Sequence, residues 1–292
     1  MGGEDEAGSR ELAMFGGVAV QSGRPSDQDV VAVLRDGVEH VVASCLGVDL
    51  TWTTTAVVAS DDLSTGNADI GRPGLDWAFA LGRGEPLLAV TLSATATALE
   101  GYDWHPRWLP VTVRATMPVD VPHGRGDGGG LVVGLSMHRW ALYGGGDDLV
   151  RVADVLTPWL LDSADRLDAD AGYATLDRVT AEDAESPWER VTGCLPALRD
   201  VTRTLWGYGW GTLLSPVHVD AVGGRVVLDS LREVLPAVVV RDVGGGRTWL
   251  TLGPDPAAVT PQDVATLRSV LAPALPRGSR SVDRPSGEHL IV

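Results

Sequence analysis

The sequence predicts an α+β protein built of mainly antiparallel sheets covered by helices, and three observations carry that expectation. Several short segments are rich in β-branched residues or alternate apolar with polar residues at the period of a half-buried strand. Two pairs of such segments are joined by glycine-rich turns, as in antiparallel hairpins. Amphipathic stretches with clear capping signals follow these pairs, and 44% hydrophobic residues over 292 positions are enough to bury a core.

Residues 1–25 read as a flexible leader, because MGGEDEAGSRELAMFGG is acidic where a signal peptide is basic and has only a short apolar run. Ser26 is expected to cap a helix with Val30, Leu34, Val38, Val41 and Cys45 on one face, ending near Gly47. DLTWTTTAVVA at 49–59 reads as a strand and DDLSTGNADIGRPG as a loop, with further strands at about 75–82 and 87–97. Between Trp108 and Met117, the residues Leu109, Val111, Val113, Ala115 and Met117 alternate with Thr112, Arg114 and Thr116, a strand with one face on the core. HGRGDGGG leads to the strand LVVGLSM, and Asp147 or Asp148 opens a helix carrying Leu149, Val152, Leu156 and Leu160 on one face.

GYATLDRV is the next expected strand, and SPWE at 186–189 is a capping box with proline at the first helical position. Ser215 and Pro216 start a short helix that Gly223 and Gly224 stop, and a helix at about 226–235 follows. Then come the strand AVVVRDV, a GGG turn and the strand RTWLTLG. Thr260 and Pro261 cap a final helix with Val264, Leu267, Val270, Leu271 and Leu275 apolar, and residues 277–292 read as a loose tail. DLVRVADVLTPWLL and DVATLRSVLAPALP, 115 residues apart, share Asp, Val-Leu, Pro and Leu at the same offsets, each after a strand, turn and strand. That pattern suggests two related halves, 26–180 and 181–276.

Composition excludes several chemistries. All 23 basic residues are arginine, so no Schiff base, pyridoxal attachment or phosphate-loop lysine can form. A net charge of −16 argues against nucleic acid and favours solubility or a basic protein partner. No apolar run has the length of a membrane span, and with only Cys45 and Cys194, each in an apolar helical pattern, the expected compartment is the reducing cytoplasm.

Motifs for catalysis and cofactors are weak. Gly124, Gly126 and Gly129 satisfy G-x-G-x-x-G, but a strand follows where a pyrophosphate site needs a helix N-terminus, so no cofactor is expected. Histidines 40, 105, 123, 138, 218 and 289 have no metal-ligand spacing, and no metal is expected. His218 falls in the first turn of a helix, where the dipole disfavours its protonated form. G-x-S-x-G is absent, leaving Ser136, His138 and an Asp as a set that only the fold could assemble.

The segment LWGYGWGTLLSPVHVDAVGG, the strands either side of GGG, WLTLGPDP and PQDVATLRSVLAPALP together resemble bacterial proteins of a type VI secretion immunity-like family, over about residues 185–276. The resemblance implies an intracellular α+β protein that binds and blocks a toxic effector. The long strand-rich N-terminal region lies outside that match.

Aromatic clusters are the best candidates for contact with a protein partner: Tyr102, Trp104, His105 and Trp108 in GYDWHPRW, and Trp206, Tyr208 and Trp210 in LWGYGWG. Large rings beside glycine can anchor an interface, or plug the end of a core. The expected function is a non-catalytic, immunity-like binding protein that occludes a basic effector. The alternatives are a hydrolase with a dispersed Asp/His/Ser site and a scaffold subunit, and the oligomeric state is open.

Overall fold

The structure, a computed structural model, describes residues 12–23, 25–47, 50–58, 68–73, 87–96, 111–116, 130–138, 141–142, 148–178, 200–205 and 207–275. Its strands are β1 (Leu12–Val20), β2 (Leu50–Val58), β3 (Ala68–Pro73), β4 (Leu87–Ala96), β5 (Val111–Thr116), β6 (Leu131–His138), β7 (Ala171–Arg178), β8 (Gly211–Leu214), β9 (Val239–Asp242) and β10 (Thr248–Thr251). They form one sheet in the order β3-β2-β4-β5-β6-β1-β7-β8-β10-β9. Every neighbouring pair is antiparallel. With its helices the molecule is α+β, as its patterning predicts.

The central strand is β1, which lies in the segment expected to be a flexible leader. It pairs with β6 on one side and β7 on the other, and residues 13–20 are buried throughout. Its Gly-Gly pair weakens the strand signal in sequence but serves a contact: a Cβ on Gly16 would stand 3.1 Å from the Leu156 side chain. The bare backbone lets a helix settle directly on the middle of the sheet.

That helix is α2 (Leu149–Leu167), preceded by α1 (Asp27–Asp36). Asp148 caps α2 by accepting the Arg151 N–H at 3.0 Å, and Ser26 caps α1 through the Asp29 N–H. The apolar stripe Leu149, Val152, Leu156 and Leu160 is buried, as are Val30 and Leu34 of α1. Helix α2 runs six residues beyond the predicted match, to Leu167, and stops at Asp168, whose φ of 51° is left-handed.

Helix α1 continues as a π-helix at Gly37–Val42 before a last turn at Ala43–Cys45. At this junction the Gly37 N–H is shared between the Leu34 and Val33 carbonyls, and the Val33 carbonyl also accepts the Trp159 indole N–H of α2 at 3.1 Å. Gly37 makes room for the ring, because a Cβ there would lie 3.2 Å from Trp159 Nε1.

The C-terminal helices are α3 (Pro216–Ala221), α4 (Arg225–Val234) and α5 (Pro261–Leu271), close to their predicted spans. Helix α4 packs against β9 at the sheet edge. There the Val240 carbonyl accepts from Arg225 Nη2 at 2.9 Å and Arg232 Nη2 at 3.2 Å, while Arg225 also pairs with Asp229 and Asp242. Two guanidinium groups therefore occupy an edge carbonyl that would otherwise invite another strand.

Two strands followed by a helix occur twice in chain order, as β5-β6-α2 and β9-β10-α5, yet β7 pairs with β8 across the expected boundary at 180/181. One sheet thus runs through both expected halves. Strand β3 falls where the sequence reads as loop; its glycine and proline fit an outer strand, which needs only one paired edge. The expected strand at 75–82, the SPWE helix start, Cys194 and the tail 277–292 lie outside the described residues. Among the described residues no helix is long and apolar enough to cross a membrane.

Candidate binding surface

Helix α2 is flanked by two clefts that share Pro158. The larger, about 560 Å³, is lined by Asp154, Thr157 and Pro158 of α2 and by Trp210, Arg241, Trp249 and Thr251 from the C-terminal strands and the turn before β8. Trp210 and Trp249 form its floor: both are buried, and the Trp210 indole N–H donates to the Gly253 carbonyl at 2.7 Å. Gly211 makes this packing possible, since a Cβ there would fall 2.5 Å from the Trp249 ring.

The smaller cleft, about 420 Å³, lies between the π-helical segment and α2, with Val33, Val41, Val155, Pro158 and Trp159 beneath a rim of Asp36, His40, Asp162 and Arg166. Arg166 approaches Asp36 at 3.5 Å, and His40 lies 4.0 Å from the same carboxylate. Both clefts are open grooves with apolar floors and charged rims. Such grooves can receive protruding side chains of another protein.

The perturbed titratable groups lie elsewhere. Burial pushes His138 down to about 4 and lowers His218, while it raises the Cys45 thiol to about 11 against a smaller opposing effect of Arg151. His218 is fully buried, and its Nδ1 accepts from the Ser215 N–H at 3.3 Å and stands 3.1 Å from Ser215 Oγ. Burial, ahead of any dipole, keeps it neutral, opposed by the Thr204 and Val201 backbones and by Asp170 and Asp200. Asp170 itself accepts from the backbone N–H of Gln21 and Ser22. This cluster ties α3 to the turn after β1 and to the segment before β8.

Ser136 and His138, the hydrolase candidates, both lie in β6 and are both buried, opposite Phe15 and Ala13 of β1. Cross-strand partners share a face, so this pair stands on the side of the sheet away from Leu156 and α2. Neither buried histidine lines either cleft. Among the described residues no group of three His, Cys, Asp or Glu could hold a metal.

Of the aromatic residues expected to meet a partner, Tyr208 is fully buried and belongs to the core. Trp210, 4% exposed, reaches solvent only as cleft floor. The glycines of LWGYGWG bring backbone against side chain there, as at Gly209, where a Cβ would meet Thr175 at 2.8 Å. Tyr102, Trp104, His105, Trp108 and Trp206 lie outside the described residues. Sequence reasoning missed Asp154, Asp162 and Arg241, although the polar face opposite the apolar stripe of α2 could have pointed to the first two.

The sequence matches no family model and no curated protein. Among solved structures, the chain is similar to a Pseudomonas aeruginosa T6SS protein, PA0821, at 16% identity and a TM-score of 0.58, covering 90% of this chain and 76% of that one. At that identity the likeness is one of fold. It extends well beyond residues 185–276 into the strand-rich N-terminal region, which the sequence resemblance left unmatched.

Proposed function

We propose that this protein is a non-catalytic binding protein associated with type VI secretion, which neutralises a protein effector by covering a surface the effector needs. The observation that carries the reading is the fold shared with a T6SS protein across 90% of the chain. The site geometry supports it, because the clefts beside α2 are open and apolar-floored while the two buried histidines stand away from both. A net charge of −16 suits a basic effector, whose approach it would accelerate and whose cationic side chains it would hold.

Tyr102, Trp104, His105 and Trp108 remain in the proposal as partner-facing aromatics. The test is affinity capture with the tagged chain in its own cells over a range of salt concentrations. A stoichiometric protein partner, toxic when expressed alone and harmless with this chain, is the expected result. Recovery of the chain alone at low salt, with toxic candidates shown to be present, would refute the reading.

A further inference from the structure

We infer that the outer face of α2, with a cleft on either side of Pro158, is the docking surface for a basic segment of a protein partner. The inference gives the function proposed above a location and a partner chemistry, and rests on that reading only for the partner being a protein.

Asp154, Pro158 and Asp162 follow one another at steps of four residues, so they form one stripe along the helix, and all three are exposed. Asp154 stands in the larger cleft and Asp162 in the smaller. The neighbouring acid Asp165 is taken by Arg247, at 2.9 Å. Asp154 and Asp162 have no hydrogen-bond or ion-pair partner among the described residues, and Arg166 in the smaller cleft is engaged by Asp36. Pro158 also has no N–H to give the Asp154 carbonyl, so a backbone acceptor without its usual helical donor adjoins a free carboxylate.

This combination is complementary to arginine or lysine. Their apolar stems can cover Trp159 on one side, or Trp210 and Trp249 on the other, while their charged heads meet Asp162 or Asp154. Arg241, on the far wall of the larger cleft, has no described partner and opposes a cation there. It therefore supplies a control of opposite sign.

A hexa-arginine peptide titrated calorimetrically into the full chain at low and physiological salt tests the inference. The double substitution Asp154→Asn/Asp162→Asn should weaken binding about tenfold. Asp220→Asn/Glu233→Asn, which removes the same charge from exposed positions on α3 and α4, should change it less than about twofold, and Arg241→Gln should strengthen it. Equal losses in both double variants, or no binding to the unaltered chain at low salt, would overturn the inference. Peptide binding through Asp154 and Asp162 without a toxic partner in affinity capture would leave this surface standing and remove the immunity reading. A captured effector indifferent to the first double substitution would do the reverse.

Discussion

Lowering the pH from 7.5 to 5.5 should destabilise this protein through a histidine that the fold keeps neutral. His138, 2% exposed in the strand beside β1, titrates at about 4, against 6.5 for an unhindered histidine. The sign follows from proton uptake. Above 6.5 neither state binds the proton; below it the unfolded chain does and the folded chain does not, so stability falls until the pH reaches about 4. Linkage over those two values gives a loss on the order of 1 kcal/mol between pH 7.5 and 5.5 from His138 alone. His218 acts in the same direction. Urea denaturation at the two pH values, at constant salt, measures the difference, and His138→Gln should flatten it by about 1 kcal/mol. Stability that is level or rising toward pH 5.5, with an unchanged slope in the variant, would refute the reasoning.

Other consequences follow from contacts already described. Gly211→Ala forces a methyl group into Trp249 and should cost about 1–3 kcal/mol in thermal unfolding. Arg247→Met removes donors from the Ala169 and Gly244 carbonyls and the pairings with Asp165 and Asp168, and should cost about 1–3 kcal/mol by the same measurement. Cys45, buried with a thiol raised to about 11, should resist iodoacetamide at pH 8 until urea unfolds the chain, as read by mass spectrometry of its peptide. Trp104→Ala with Trp108→Ala should weaken capture of the partner while leaving the melting temperature unchanged.

The elements legible in sequence were those whose signals are local. Ser26, Asp148, Ser215 and Thr260 stand at helix starts within a residue of expectation, and the alternation from Val111 to Thr116 became β5. Strand β1 escaped because its partners β6 and β7 lie more than a hundred residues away, and its two glycines look like loop without Leu156 in view. Strand β3 escaped for a similar reason: an outer strand tolerates the glycine and proline that mark turns. The pairing of β7 with β8 joins segments that the repeated pattern assigns to separate halves.

The candidate surface was harder to read than the fold. Whether the Trp210 ring is an anchor or a floor depends on what holds it, here the Gly253 carbonyl that accepts its indole N–H, while Gly211 leaves room for the Trp249 ring. Asp154 and Asp162 look like ordinary solvated helix residues until the neighbouring carboxylates are seen to be engaged. Arg241 joins them only because β9 lies across the groove from α2.

The central claim, protection against a protein effector, is tested most directly by competition. A strain lacking this chain would be mixed with its type VI secretion-competent parent and survival counted, with and without the chain restored. The account predicts loss of the deletion strain in contact with the parent, survival beside a secretion-defective parent, and rescue by the restored chain. Equal survival of the deletion strain in both mixtures would contradict it.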